Sequence, residues 1–433
     1  MQVEGSKVKF ITKVVGILLG FSLVGFLLLI ISFTLPRGRI IQNVKESASN
    51  YLYYTSWAQG VRGTMADSFS DAIMLNQAAF DGYNNPIEAV ALASRYEYDG
   101  VDDAKLSFNM HYGSVEPTSE QVVVDYPRYW HGYLIFLTPL LEILNPAEVA
   151  CLNAIIQFIL IIALILIAYK RYGIKLALAI GIFVISLSPI TVALSFQYAA
   201  NFYITTISLM LMLLLDKWLM KKNRYYYMFL LIGCATVFFD LLSYPFITLG
   251  VPLALLMYLR NYHIKKAKDV ISPLRTGAIS SVLWLAGYGI TWVLKWSVAS
   301  LILGRNVFTD AMETARFRTN GDYGVVAAIG KNILTMFSAP VIIFFALAIL
   351  VVLILWFKKK ITIHLQKWSL LPYIVLAAYP FVWYCALCNH SYIHCWFTYR
   401  ELSIAIFAIA LATAGSISRR QYKITRIKTG GKK

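Results

Sequence analysis

The hydrophobic residues of this chain are gathered into long runs that short polar stretches separate. Runs such as "VVGILLGFSLVGFLLLIISF" and "APVIIFFALAILVVLILWF" reach the ~20 apolar residues with which a helix crosses a bilayer. Pro and Gly interrupt several runs, which membrane helices tolerate when neighbours satisfy the freed backbone groups. The pattern predicts about ten spans, near residues 11–35, 146–169, 174–197, 201–219, 225–242, 246–260, 277–302, 332–357, 369–387 and 400–418.

The composition agrees with a chain that lies mostly in a membrane. Of its 433 residues, 59% are hydrophobic and only 14% are charged, and the mean hydropathy is +0.64. A soluble protein is about half apolar and about a quarter charged. We therefore expect an all-α, polytopic transmembrane protein that forms a single transmembrane domain over residues 1–433.

The distribution of Lys and Arg predicts how the chain is oriented. Six polar segments that would share one side of the membrane hold 26 of the 39 basic residues and 3 of the 22 acidic ones. Because basic residues collect on the cytoplasmic side, the N terminus and a basic tail at 419–433 are expected there, in a multi-pass cell-membrane protein. Arg37 and Arg39, just outside the first span, oppose the rule locally. The membrane topology and an affinity for anionic lipid then explain the net charge of +17. We therefore expect no nucleic-acid partner.

This orientation places three polar segments on the outer side: a long loop at 36–145 and shorter pieces near 303–331 and 388–399. The apolar run that follows His131 is too short to span the bilayer. It predicts an amphipathic helix lying along the outer leaflet. Tyr129, Trp130 and Tyr133 would then form an aromatic belt at the membrane surface.

Three ionisable residues stand inside or beside apolar runs. Asp240 ends the fifth predicted span, Lys295 lies within the seventh, and Arg400 opens the tenth. Such groups cost several kcal/mol and usually face a cavity or a partner. Lys and Arg can also reach the interface with their long side chains, whereas Asp240 is too short for that and predicts a polar cavity.

The outer segments also carry groups suited to catalysis. Asp67 and Asp71 are four residues apart in "DSFSDAIMLNQA", so a helix would place both carboxylates on one face. Asp67 could equally be the cap that begins this helix. His390 and His394 lie near Cys385, Cys388 and Cys395, and these His and Cys side chains could bind a metal. Outside the cell, Cys385 and Cys388 could form a disulfide.

The stretches "DSFSDAIMLNQA", "YPRYWHGYLIFLTPLL", "FFDLLSYPFITLGVPL" and "NHSYIHCWFTYR" resemble a family of uncharacterised Gram-positive bacterial membrane proteins. The architecture, with a long carboxylate-bearing outer loop after the first span, resembles the GT-C superfamily of membrane glycosyltransferases. Many members have an adjacent acidic pair near the start of this loop. Here only Asp67 and Asp71 stand in that region.

The resemblance implies an inverting glycosyltransferase for hexosyl or pentosyl transfer. It would move a sugar from a polyprenyl-phosphate donor in the membrane lipid to a cell-envelope acceptor outside the cytoplasm. A carboxylate would deprotonate the acceptor and cations would stabilise the leaving phosphate. The catalytic candidates are Asp67 and Asp71. Candidate donor- and phosphate-binding residues are Lys295, Arg316, Arg318, His390, His394 and Arg400, and further polar candidates are His131, Asp240 and Tyr244. No metal ligand is assigned, and dependence on a divalent metal stays open.

The sequence is also compatible with two other functional classes of membrane protein. One is a transporter or flippase for a lipid-linked saccharide, with Asp240 and Lys295 along its pathway. The other is a membrane acyltransferase or polymer ligase that uses His390 or His394. The sequence has no Walker loop, no Gly-rich dinucleotide fingerprint and no His-Glu-x-x-His motif, so ATP-driven transport, redox chemistry and zinc proteolysis lack support.

Overall fold

The computed structural model describes residues 2–53, 56–263, 271–363 and 367–419. The predicted basic tail at 419–433 lies outside the described residues except for its first residue. In chain order the helices are α1 (Gln2–Phe33), α2 (Arg37–Tyr53), α3 (Ser68–Ala79), α4 (Pro86–Leu92), α5 (Ala104–Tyr112), α6 (Leu134–Leu141), α7 (Pro146–Tyr172), α8 (Ile174–Ser186), α9 (Pro189–Ala193), α10 (Phe196–Leu214), α11 (Asp216–Met220), α12 (Tyr225–Phe239), α13 (Ile247–His263), α14 (Ile271–Leu303), α15 (Val307–Thr319), α16 (Val325–Met336), α17 (Ala339–Phe357), α18 (Lys367–Ala377), α19 (Tyr379–Ala386), α20 (Cys388–Ile393), α21 (Cys395–Thr398) and α22 (Ser403–Ser416). Two 3₁₀ helices cover Lys221–Asn223 and Tyr399–Leu402.

The described residues contain five helical segments that are long and apolar enough to cross a membrane. They are Val8–Phe33, Pro146–Tyr172, Phe196–Leu214, Ser272–Leu303 and Cys395–Ser416. A sixth arises if α16 and α17, which are bent by 69°, form one span. Four shorter apolar helices cover Ile174–Ser186, Tyr225–Phe239, Ile247–Asn261 and Leu370–Ala386. The expectation of a helical membrane protein is therefore confirmed, with five or six helices long enough to span.

The chain is not purely helical, because four short strands form two antiparallel pairs. Strands β1 (Arg95–Tyr98) and β2 (Gln121–Val124) pair within the 36–145 segment, with Arg95 opposite Val124. Strands β3 (Ile361–Ile363) and β4 (Ile417–Arg419) pair after the ends of α17 and α22. Both pairs are small, so helices set the architecture.

The short apolar run after His131 forms α6, which has eight residues and contains Pro139. At 1.5 Å per residue this helix is about 12 Å long, too short to cross a bilayer. The expected aromatic belt beside it is wrong, because Tyr129, Trp130 and Tyr133 are all buried. The indole NH of Trp130 donates to the Thr291 carbonyl at 2.8 Å. These rings anchor the segment to the helix bundle.

The backbone leaves the helical conformation within one predicted span and between two others. Ser188 has a positive φ of 57° and precedes Pro189, so α8 ends before that pair and the predicted span at 174–197 is interrupted. A second break separates α12 from α13, where Leu242 has a φ of 65°. These breaks leave backbone groups without helical partners in the interior.

Ion pairs connect two segments that are predicted to lie on the outer side. Arg128 donates to both carboxylate oxygens of Asp310 at 3.0 and 3.1 Å. Arg305 donates to Asp125 at 2.6 Å. The segment at 36–145 is thereby attached to the connection between α14 and α16.

Helices α12 and α14 pack at very short separation because glycines face the partner backbone. A Cβ added at Gly233 would collide with the Trp284 carbonyl, and one added at Gly287 would collide with the Leu230 carbonyl. Small residues of this kind allow membrane helices to approach closely.

Substitution at this contact should destabilise the protein. We expect Gly287→Ala to lower stability by about 1–3 kcal/mol, because the new methyl group overpacks the helix pair. Gly289→Ala is a matched control on the same helix, since nothing lies within 4 Å of its added Cβ. Thermal unfolding of both purified variants tests this, and equal midpoints would contradict the close packing.

Candidate functional site

Arg400 is the centre of the polar interior. It is fully buried on the 3₁₀ helix that precedes α22. Its Nε donates to the Leu187 carbonyl at 2.9 Å and its Nη1 to the Trp396 carbonyl at 3.1 Å. Leu187 caps the end of α8, where a cation also interacts favourably with the helix dipole. Nη2 has no hydrogen-bond partner among the described residues.

Three buried tyrosines enclose the Arg400 guanidinium. Its central carbon lies 4.3 Å from the ring centre of Tyr198, 4.7 Å from that of Tyr399 and 5.7 Å from that of Tyr244. Aromatic faces attract a cation, and more strongly when water is excluded. We call these four residues the arginine cage.

The cage is joined to the loop that precedes α3. The hydroxyl of Tyr399 donates to the Gly63 carbonyl at 3.0 Å, and that of Tyr198 donates to the Met65 carbonyl at 3.1 Å. Gly63 has a φ of 81°, and an added Cβ would lie 3.2 Å from the Tyr399 hydroxyl. The loop at 56–67 therefore lies directly against the cage and delivers Asp67 next to it.

Asp67 caps the start of α3, as the simpler reading of the sequence predicted. Its carboxylate accepts from the Ser70 backbone NH at 3.2 Å and from the Ser70 hydroxyl at 2.7 Å. Burial raises the pKa of Asp67, against the opposing effects of the Ser70 bonds and the Arg400 charge. Asp67 and Arg400 make no direct ion pair within 4.0 Å in the described structure, but they are close enough to interact electrostatically.

Asp71 lies one turn further along α3 and has more partners. Its carboxylate accepts from the Gln197 NH at 2.8 Å, the Ser195 hydroxyl at 3.1 Å and the Tyr51 hydroxyl at 2.9 Å. Burial raises the pKa of Asp71 to about 7, and the nearby Asp67 charge adds to that rise. With three donors already bound, Asp71 is held in place, whereas Asp67 keeps more of its acceptor capacity.

Glu401 is a buried carboxylate that the sequence analysis missed. Its Oε1 accepts from the Phe246 NH at 3.0 Å, just before α13 begins, and its Oε2 has no partner among the described residues. A carboxylate at a helix N-terminus is stabilised by the exposed NH groups. The signal was available, because Glu401 directly follows Arg400 at the start of an apolar run.

A second polar group lies at the break between α12 and α13. Asp240 accepts from the Ser243 NH at 3.0 Å and also from the Ser243 hydroxyl. Nε2 of His390 lies 3.0 Å from the Leu242 carbonyl. Since a carbonyl only accepts, Nε2 carries the proton and Nδ1 is a free acceptor, with no partner in the described structure. His390 thus presents a lone pair on its free nitrogen.

Arg318 reaches this second group from α15. Its Nη1 donates to the Tyr129 hydroxyl at 2.5 Å. Burial, followed by the Arg318 charge, lowers the pKa of His394 to about 4 and that of His390 well below its usual value. Both imidazoles are therefore neutral at pH 7, and Arg318 is the cation of this group.

Three other candidates lie apart from these two groups. Lys295 donates from Nζ to the carbonyls of Val90 at 2.6 Å and Ala91 at 3.2 Å, so it caps the end of α4. His131 contacts the Tyr133 hydroxyl and the Tyr126 carbonyl at 3.0 and 2.8 Å, and burial lowers its pKa. Arg316 is exposed on α15.

The structure thus brings Asp67, Asp71, Tyr244 and Arg400 to one place, and Asp240, Arg318, His390 and His394 to the adjacent break. Within the described residues, no group of three or more His, Cys, Asp or Glu side chains could hold a metal ion. The five cysteines of the chain are free.

The arginine cage should not accept lysine. We expect Arg400→Lys to destabilise the protein by about 1.5–3 kcal/mol, because an ammonium group lacks the planar fork that donates to two carbonyls while its flat face stacks among three rings. Arg316→Lys is the matched control, since Arg316 is exposed. Thermal unfolding in detergent measures both, and an unchanged midpoint for Arg400→Lys would mean that Arg400 only anchors its helix.

No protein-family model, curated protein or solved structure matches this chain. Its function must therefore be argued from the geometry of the arginine cage and the two aspartates.

Proposed function

We propose that the protein is a membrane glycosyltransferase that moves a sugar from a polyprenyl-phosphate donor to a cell-envelope acceptor. In this proposal about ten helices cross the membrane, both termini are cytoplasmic, and the segment at 36–145 lies outside. The observation that carries it is the buried Asp67 carboxylate beside the Arg400 guanidinium, whose Nη2 is unpartnered in the described part of the chain. A base and a free cationic donor next to each other are what this transfer requires.

Asp67 is the proposed general base. The acceptor hydroxyl gives its proton to Asp67 while its oxygen bonds to the anomeric carbon from the face opposite the phosphate. The bond from that carbon to the phosphate oxygen breaks, and its electron pair leaves with the phosphate, so the configuration inverts. A pKa above the ordinary aspartate value makes Asp67 a stronger base.

Asp71 is the proposed positioning residue for this base. Its three donors come from α2 and from the start of α10, so it fixes the first turn of α3 against both. Its negative charge, when ionised, also raises the proton affinity of Asp67.

Arg400 is the proposed contact for the leaving phosphate, through Nη2, with Arg318 as a second cation. His390 and His394 are neutral at pH 7 and therefore act as polar contacts rather than as charges. Lys295 acts indirectly by holding α4, and Arg316 is left without an assigned role. Since the described residues offer no cluster of three metal-ligating side chains, the proposal assigns the phosphate to side chains.

One observation favours a second candidate, a transporter of a lipid-linked saccharide. Asp240 and Glu401 are both buried, and one oxygen of Glu401 has no partner within the described structure. Buried carboxylates of this kind occur along proton and ion pathways in membranes. A proteoliposome assay separates the two candidates, because a transporter moves the intact donor whereas a transferase releases polyprenyl phosphate.

The first test of the transferase is the base itself. We expect Asp67→Asn to lower turnover of polyprenyl-phosphate sugars by about 10²–10⁴-fold, the usual contribution of a general base. Asp103→Asn is a matched control, because Asp103 also caps a helix, α5, but is exposed. The assay follows release of polyprenyl phosphate by the purified protein. Full turnover by Asp67→Asn would remove this residue from the mechanism.

The second test is the pH dependence of kcat/KM. Aspartates act here when ionised, so activity should rise with pH and level off above the Asp71 pKa of about 7. In the Asp71→Asn variant, the rise of kcat/KM with pH reflects the ionisation of Asp67 alone. This rise should move to lower pH, because the neighbouring negative charge is gone. If kcat/KM of this variant rises at the same pH as that of the unaltered protein, the two carboxylates are not coupled.

A further inference from the structure

A cleft of about 80 Å³ opens beside the arginine cage. It lies between the loop at 56–67, the break after α8 and the junction of α16 with α17. Its lining includes an indole, an arginine and several hydroxyl-bearing side chains, among them Trp57, Arg62, Ser188, Thr335, Ser338 and Tyr399.

Trp57 presents an oriented ring at this cleft. Its Nε1 donates to the Thr191 hydroxyl at 2.8 Å, and that hydroxyl also bonds to the Gly63 carbonyl at 3.1 Å. The side chain is nevertheless 47% exposed. It stacks on no other aromatic ring in the part of the chain that the structure describes. An indole that is fixed by its edge and about half exposed is suited to stacking on a ligand.

The rest of the lining combines apolar side chains with hydroxyl-bearing residues and one arginine. Ser188, Thr335 and Ser338 are hydroxyl-bearing residues of the lining, and Arg62 is exposed on the loop at 56–67. Arg62 forms no ion pair with any described residue. Hydroxyl groups suit the polar edge of a sugar ring, the indole suits its apolar face, and a free guanidinium suits an acidic substituent.

The cleft adjoins the proposed catalytic group. Tyr399 lines the cleft and also belongs to the arginine cage. Gly63 and Thr64 line it too, and Asp67 follows three residues after Thr64. A sugar held in the cleft therefore lies next to the loop that carries the base.

We propose that this cleft binds a pyranose unit that carries an acidic group, a carboxylate or a phosphate, with its ring on Trp57 and its charge at Arg62. In naming this saccharide as the acceptor, the inference rests on the proposed transferase function. The binding of the saccharide itself does not depend on turnover.

The test is an array of pyranose trisaccharides that are neutral, uronic acid-containing or phosphorylated, probed with the full chain in nanodiscs. We expect retention of the acidic trisaccharides. Trp57→Ala should weaken retention by about tenfold, as expected for the loss of a stacking ring, and Trp57→Phe should keep most of it. Arg62→Ala should abolish the preference for acidic over neutral sugars while it leaves weak binding of both.

Two exposed residues outside the cleft provide matched controls. Trp218→Ala removes an exposed tryptophan on α11, and Arg39→Ala removes an exposed arginine on α2. Neither should change retention. Equal retention by Trp57→Ala and the unaltered protein, or a blank array, would overturn the inference, and so would equal retention of neutral and acidic sugars.

Donor consumption by the unaltered protein is measured in parallel. Consumption of the donor together with a blank array would reject the cleft and keep the transferase. Specific retention on the array without any donor consumption would reject the transferase and keep a saccharide site. If Trp57→Ala fails to fold, the Trp57→Phe and Arg62→Ala variants still decide the outcome.

Discussion

The structure depends on how the charge of Arg400 is compensated inside the protein. A buried cation is costly unless several groups replace its water. Here two carbonyls and three tyrosine rings do so. These groups come from the end of α8, from α10, from the segment before α13 and from the chain around Arg400 itself. Their positions are therefore interdependent, and the loop at 56–67 is placed with them through Gly63 and Met65.

Side chains in the stretch at 388–401 bind the backbone groups that the helix breaks leave free. Each break frees backbone groups that a membrane protein must satisfy internally. The Leu187 carbonyl is satisfied by Arg400, the Leu242 carbonyl by His390 and the Phe246 NH by Glu401. One short segment thus supplies partners for both breaks. This accounts for the concentration of polar chemistry between two apolar runs, with or without a ligand.

The sequence predicted the coarse fold because long apolar runs have few alternatives to membrane helices. It also located the buried Arg400 and the capping Asp67, since such residues are conspicuous in their surroundings. It could not predict the tyrosine cage, because Tyr198, Tyr244 and Arg400 are distant in the chain. The sequence analysis included Lys295 in the site because it lies within the seventh predicted span. In the structure its partners are the carbonyls at the end of α4. The sequence pattern does not show which side chain will bind the carbonyls at the end of a helix.

The arginine cage can have both a structural role and the proposed catalytic role, because the two roles involve different atoms. Nε and Nη1 of Arg400 are bound to carbonyls, which fixes the plane of the guanidinium, while Nη2 has no partner among the described residues. The two aspartates differ in the same way: Asp71 is bound by three donors, whereas among the described residues Asp67 is bound through Ser70 alone. In both cases the bound atoms fix the side chain, and the proposed transferase uses the atoms that remain free. A site built in this way holds its reactive groups in place before a ligand arrives, which is the condition under which electrostatic stabilisation of a transition state is most effective.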